Sequence, residues 1–293
     1  MPKRLRDKSL VVAMRAFFDE SAISPEDGPF MIMAGFVGTI EDFERASDAW
    51  QDRLDDSPSI PYFHHKDRNC AFLIPALAEI IRDSNLQGFV VTIPHAPFAG
   101  RNNKIAKGLI GTRIYDYAFI HTVKYVLWWV DKNFAEGEKV DFIFEKRREL
   151  QLCIDKLYTP LSIEGLDFWN RAGSCTPEDN KRVAALQMSD LLAGQSLESI
   201  RIKRKSEAFQ VMEGNRKIFI INEKPHKTVE QNLFLHSIGK MIYDAGRKKI
   251  LDWPEDTIDP ALYEKEYRAL LAIHRIAQET SELLDKETEE LNG

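Results

Sequence analysis

Between Val11 and Ser21 the chain reads VVAMRAFFDES, an apolar run that stops abruptly at Asp19 and Glu20. Val11, Val12, Met14, Ala16, Phe17 and Phe18 have the composition of a buried strand, with Arg15 the one charge before its end. A carboxylate at a strand mouth is held rigidly yet meets solvent, which suits a metal ligand or a general base. The plainer alternative is a strand followed by an ordinary Asp/Glu/Ser turn, and the rest of the chain has to decide between them.

After the polar turn SAISPEDGP, Phe30 to Val37 reads as a second strand and forms a hairpin with the first. Thr39 is placed to cap a helix from Ile40 to Leu54, with Phe43, Ala46, Trp50 and Leu54 on one face. YFHHKDRN follows, then a helical pattern from Cys70 to Arg82 in which Pro75 marks a bend or the true start. Leu86 to Ile93 is a third strand, and His95 to Gly111 reads as a basic loop containing Gly100 and Lys107. The long helix predicted over Thr112 to Phe134 is rich in aromatics, best read as core packing. Val140 to Glu145, VDFIFE, repeats the opening theme of apolar residues running into an acid. A short helix from Leu150 to Leu157 comes next. Leu166 to Asn170 is predicted as an edge strand and RAGSCTPEDN as a loop.

The helix predicted from Val183 to Ser199 opens VAALQMSDLLAG. It places Gln187, Asp190, Gly194 and Glu198 on one face among Leu186, Leu191, Leu192 and Ala193. A buried Asp190 needs a cation or hydrogen-bond partners, because an unpaired buried charge costs several kcal/mol. Gly194, one turn on, allows another backbone to approach closely. Beyond Arg201 the pattern gives a short apolar patch at Ile218 to Ile221 and helices over 228–243 and from Asp259 onward. The last of these is amphipathic and serves either as an appendage on the core or as a homodimer contact.

The segments FFDES, VDFIFE and LQMSDLLAG, in this order, resemble the ribonuclease H-like family known as domain of unknown function 3800, and Phe63 and His64 match its intervening Phe-His pair. The resemblance covers roughly residues 10–200. It implies an α/β fold, a mixed central sheet flanked by helices, over 10–203, with 204–293 a helical extension packed on it. It further implies a divalent-metal nuclease in which Asp19 bridges two metals, Glu145 ligates one and Asp190 completes the site. Glu20, Ser21, His64 and Gln187 would support those ligands or orient substrate. Oxygen-only ligands suit Mg²⁺ or Mn²⁺ better than zinc, and two such ions about 4 Å apart serve phosphodiester cleavage. The chain departs from the pattern at Ala22, where Gly is frequent, and at Glu145, where Asp is usual; Asp141 or Glu149 would take that role in another register.

Composition narrows the alternatives. A hydrophobic content of 44% with 29% charged residues is ordinary for a globular protein, and no apolar run approaches the roughly 20 residues of a membrane span. The basic start MPKRLRDKSL lacks the apolar stretch of a secretory signal. Three cysteines, Cys70, Cys153 and Cys175, are odd in number and never spaced as CxxC. They predict a reducing, cytoplasmic setting without structural zinc or disulfides. The net charge of -6 gives no global drive toward nucleic acid. A local basic face can suffice, and Lys3/Arg4/Arg6, Lys146/Arg147/Arg148 and Arg201/Lys203/Arg204/Lys205 are either solvated surface or the grip on a nucleic-acid backbone. Two rival classes stand beside the nuclease: an inactive binding or assembly module on the same scaffold, and a hydrolase of a small phosphorylated ligand.

Overall fold

A computed structural model describes residues 14–96, 114–135, 137–158, 170–214 and 218–222. The run that opens the argument is strand β1 (Met14–Ser21), so Asp19, Glu20 and Ser21 belong to the strand and not to a turn beyond it. β1 lies at the heart of a six-stranded sheet. It pairs antiparallel with β2 (Phe30–Thr39), which pairs antiparallel with β3 (Gln87–Pro94). On its other side β1 runs parallel to β4 (Val140–Glu145), which runs parallel to β5 (Ala172–Glu178). β6 (Phe219–Asn222) joins the far edge parallel to β3, giving the order β5-β4-β1-β2-β3-β6 in which β2 alone is reversed.

Alternation along β1 sends Ala16 and Phe18 to one face and Phe17 to the other. The first face packs on α3 (Ile114–Asn133) and α4 (Arg148–Cys153). The second packs on α1 (Ile40–Asp55), α2 (Ile74–Asp83) and α5 (Ala184–Arg201). A sheet buried on both faces explains why β1 to β4 read as nearly continuous apolar runs. α1 starts where the pattern predicts, because the Thr39 hydroxyl accepts the Asp42 N–H at 3.1 Å. Thr39→Ala is expected to lower unfolding stability by about 1 kcal/mol in a urea titration. Pro75 sits in the first turn of α2, preceded by a 3₁₀ segment, Arg68–Leu73, so it marks a start and not a bend.

Several expectations need correction or fall outside the described residues. β5 occupies the stretch predicted as a loop: AGSCTPE has no apolar run, and β4 is its strand partner. Of the strand predicted at 166–170 only Asn170 is described, in a 3₁₀ turn leading into β5; the rest lies outside the described residues. The sheet also continues past residue 204, since α6 (Glu207–Glu213) packs on α2 and β6 completes the far edge. The helices expected over 228–243 and from 259, the dimer contact assigned to the latter, and the cluster Lys3/Arg4/Arg6 lie outside the described residues.

Candidate metal centre

Strand register makes Asp19 and Glu145 neighbours. Phe18 of β1 is paired with Phe144 of β4, and the next residue on each strand is an acid. Both acids share the α5 face by alternation, while Glu20 leans toward the α3 side. At the end of the sheet the three converge: one carboxylate oxygen each from Asp19, Glu20 and Glu145 lies within 4.8 Å of the others. Asp19 and Glu20 are buried and Glu145 half-buried. Asp19 Oδ1 also accepts the Glu20 N–H at 2.7 Å, which fixes its rotamer.

So much negative charge out of water resists ionisation. Burial, then the charges of Asp190 and Glu145, hold the Asp19 carboxyl well above its ordinary range. Burial is likewise the main reason Glu145 is raised, with Asp190 adding to it. Arg147 opposes this. Its guanidinium lies 3.0 and 3.2 Å from Glu145 Oε2 through Nη2 and Nε, and its Nε also contacts Glu20 Oε1.

Asp190 stands apart from the tight trio, yet its charge is the largest one raising Asp19. Its Oδ2 accepts the His65 N–H at 2.7 Å and meets His64 Nδ1 at 2.8 Å. The hydrogen bond to Asp190 raises the pKa of His64, whose ring stays partly open to solvent. His65 is treated oppositely, with burial lowering its pKa. Gln195 Oε1 accepts the Ser206 hydroxyl at 2.7 Å, so its amide nitrogen donates to His65 Nε2 at 2.9 Å. That places the His65 proton on Nδ1. Gly194 makes room for this ring: an added Cβ would lie 2.2 Å from His65 Cγ. The close approach predicted at Gly194 is therefore real but made by a side chain.

Gln187 anchors the histidine loop from below. Its Oε1 accepts from Trp50 Nε1 at 3.0 Å and Phe63 N at 2.9 Å, and its Nε2 donates to Asn180 O at 3.0 Å. Gln187→Leu would leave two buried donors unpaired, so it is expected to lose about 2–3 kcal/mol of stability in denaturant unfolding.

No protein-family model matches this chain, and neither a curated protein nor a solved structure does.

The structure brings together Asp19, Glu20 and Glu145, with Glu20 closer to the centre than the supporting place expected for it. Ser21 is buried at the last position of β1. Asp141 does not substitute for Glu145, because its Oδ1 accepts the Ser174 N–H and hydroxyl at 2.7 and 2.8 Å; Glu149 is exposed on α4. Lys146, Arg148, Arg201, Lys203 and Arg204 are exposed. Arg201 donates to Asp27 O at 2.8 Å, in the turn that follows β1, so it lies at the same end of the sheet as the acids. Nothing in the sequence marks Gln195 or Ser206 for this network; Trp50 reads there only as a residue on the apolar face of α1, and His65 only as half of the His-His pair beside the favoured His64. No disulfide joins Cys70, Cys153 and Cys175, and no described helix is long and apolar enough to cross a membrane.

Proposed function

We propose that this chain is a divalent-metal-dependent nuclease on a ribonuclease H-like fold, hydrolysing phosphodiester bonds at the Asp19, Glu20 and Glu145 cluster. The observation that carries the reading is the meeting of three carboxylates within 4.8 Å at the open end of two adjacent parallel strands, with Asp190 behind them. The central β1, flanked by the single reversed strand β2 and by parallel β4, supports the fold half of the reading.

The donor set fits a hard cation: it is all oxygen, and the buried Glu20 carboxylate accepts no regular hydrogen bond. Asp19, Glu20 and Glu145 would hold Mg²⁺ or Mn²⁺, which when bound supplies water activation and charge stabilisation at the leaving oxygen. Asp190 holds His64 through Nδ1, so that the other ring nitrogen can carry a proton at the solvent-facing side. Lys146 and Arg148, exposed next to Glu145 in the chain, and Arg201, exposed at the same end of the sheet, supply positive charge for a phosphate backbone.

A second reading, a non-catalytic nucleic-acid binding or assembly module, is favoured by one fact: Arg147 already neutralises part of the acid cluster. Cleavage of labelled RNA, DNA and hybrid duplexes in Mn²⁺ or Mg²⁺ separates the two. Metal-dependent cutting that falls at least about a hundredfold in Asp19→Asn is the expected result. Substrate bound but left intact by both proteins would sink the nuclease and leave the module.

A further inference from the structure

Arg147 lies between β4 and α4 in an extended conformation, φ -141° and ψ 158°, and its side chain forms no cap on the helix that follows. It is therefore free to fold back over the strand ends. There it spans two of the three clustered acids, contacting Glu20 and lying 3.0 Å from Glu145. The Glu20 side chain is fully buried, and apart from this contact its oxygens accept no regular hydrogen bond. The Arg147 side chain as a whole is 37% exposed. Its neighbours Lys146 and Arg148 are exposed.

A cation cannot approach the Glu20 and Glu145 oxygens closely while a guanidinium lies against them, because charge and volume both exclude it. We propose that Arg147 is the resident counter-ion of the acidic cluster: it competes with divalent metal for Glu20 and Glu145, and metal entry releases its guanidinium toward the substrate phosphate. This rests on the metal-binding reading above. A planar fork that grips two carboxylates is equally shaped for two phosphate oxygens, so the released side chain already has the chemistry its new partner needs.

Calorimetric titration of the metal-free full chain with Mn²⁺ tests the competition. Arg147→Gln is expected to bind about tenfold more tightly than wild type. Arg147→Lys keeps the charge and is expected to stay within about threefold of wild type. Thermal unfolding supplies a second readout: without metal Arg147→Gln should melt below wild type, and saturating Mn²⁺ should close that gap. Equal or weaker Mn²⁺ binding by Arg147→Gln, with normal binding by wild type, would make Arg147 a scaffold for the ligands and overturn the proposal while the metal reading survives. Tightening of the same size in Arg147→Lys would trace the effect to shape and not charge, and would also overturn it. Silence from all three proteins would remove the metal site and the proposal together.

Discussion

Metal-free Asp19→Asn is expected to unfold at a higher temperature than the wild type, although it should no longer cut. Asn keeps the oxygen that accepts the Glu20 N–H and removes a charge that burial, Asp190 and Glu145 all oppose. The lost attraction to Arg147 is the smallest of these influences. Each kcal/mol recovered should appear as about 2–4 °C in the melting temperature. The sign with pH follows from linkage. A carboxyl whose pKa is raised on folding binds its proton more tightly in the folded state. Its contribution to stability is fully present below the unfolded value of about 3.9 and is lost as pH rises through the folded value. Acidifying the metal-free wild type from neutrality should therefore stabilise it through this group until other carboxylates titrate, and Asp19→Asn should lack that gain. A variant that melts lower at neutral pH would show that Asp19 is satisfied in the metal-free fold and would remove the electrostatic account of the cluster.

Gly194→Ala carries the second large effect. The new methyl would lie 2.2 Å from both Cγ and Nδ1 of His65, close to the root of that side chain. The ring cannot swing aside freely, because the His65 backbone N–H is held by Asp190 and the ring Nε2 by Gln195. The histidine loop must lift, loosening His64 from Asp190 as it goes. We expect about 1–3 kcal/mol of lost stability and a matching loss of any metal-dependent cleavage. The double variant Gly194→Ala/His65→Ala should recover much of the stability, a non-additivity that a double-mutant cycle measures directly. Simple additivity of the two changes would mean that the helix and the loop are not in conflict at this point.

The layered α/β plan was legible because most strands are buried on both faces and most helices carry one apolar stripe. β5 was missed for a physical reason. It lies at the sheet's edge beside β4, and its side chains alternate between half-buried and exposed, so no apolar run betrays it. Asp19 and Glu145 could be found because charge at the end of an apolar strand is conspicuous in sequence. The role of Arg147 could not: within Lys146, Arg147 and Arg148 nothing local says which cation turns back over the acids. Gln187 was visible as a polar residue on a buried helix, but its partners Trp50 and Phe63 lie far away in the chain. Ala22 illustrates the reverse case. Its φ of 53° is a left-handed conformation where glycine is the easier choice, and its carbonyl is held by His95 Nε2 at 2.8 Å.

The strand order has a consequence for how the protein is born. β1 and β2 form a hairpin over a short turn and β3 joins β2 after α1 and α2, so these three strands can pair while the rest of the chain is still being made. β4 and α5 arrive more than a hundred residues after Asp19, and β4 must then slot in beside β1 across that long separation. Asp19 and Glu20 are thus synthesised together, well before Glu145, Arg147 and Asp190 can reach them. The ribosome releases an incomplete sheet with two buried acids, Asp19 and Glu20, at its rim well before it releases anything able to gather the full cluster.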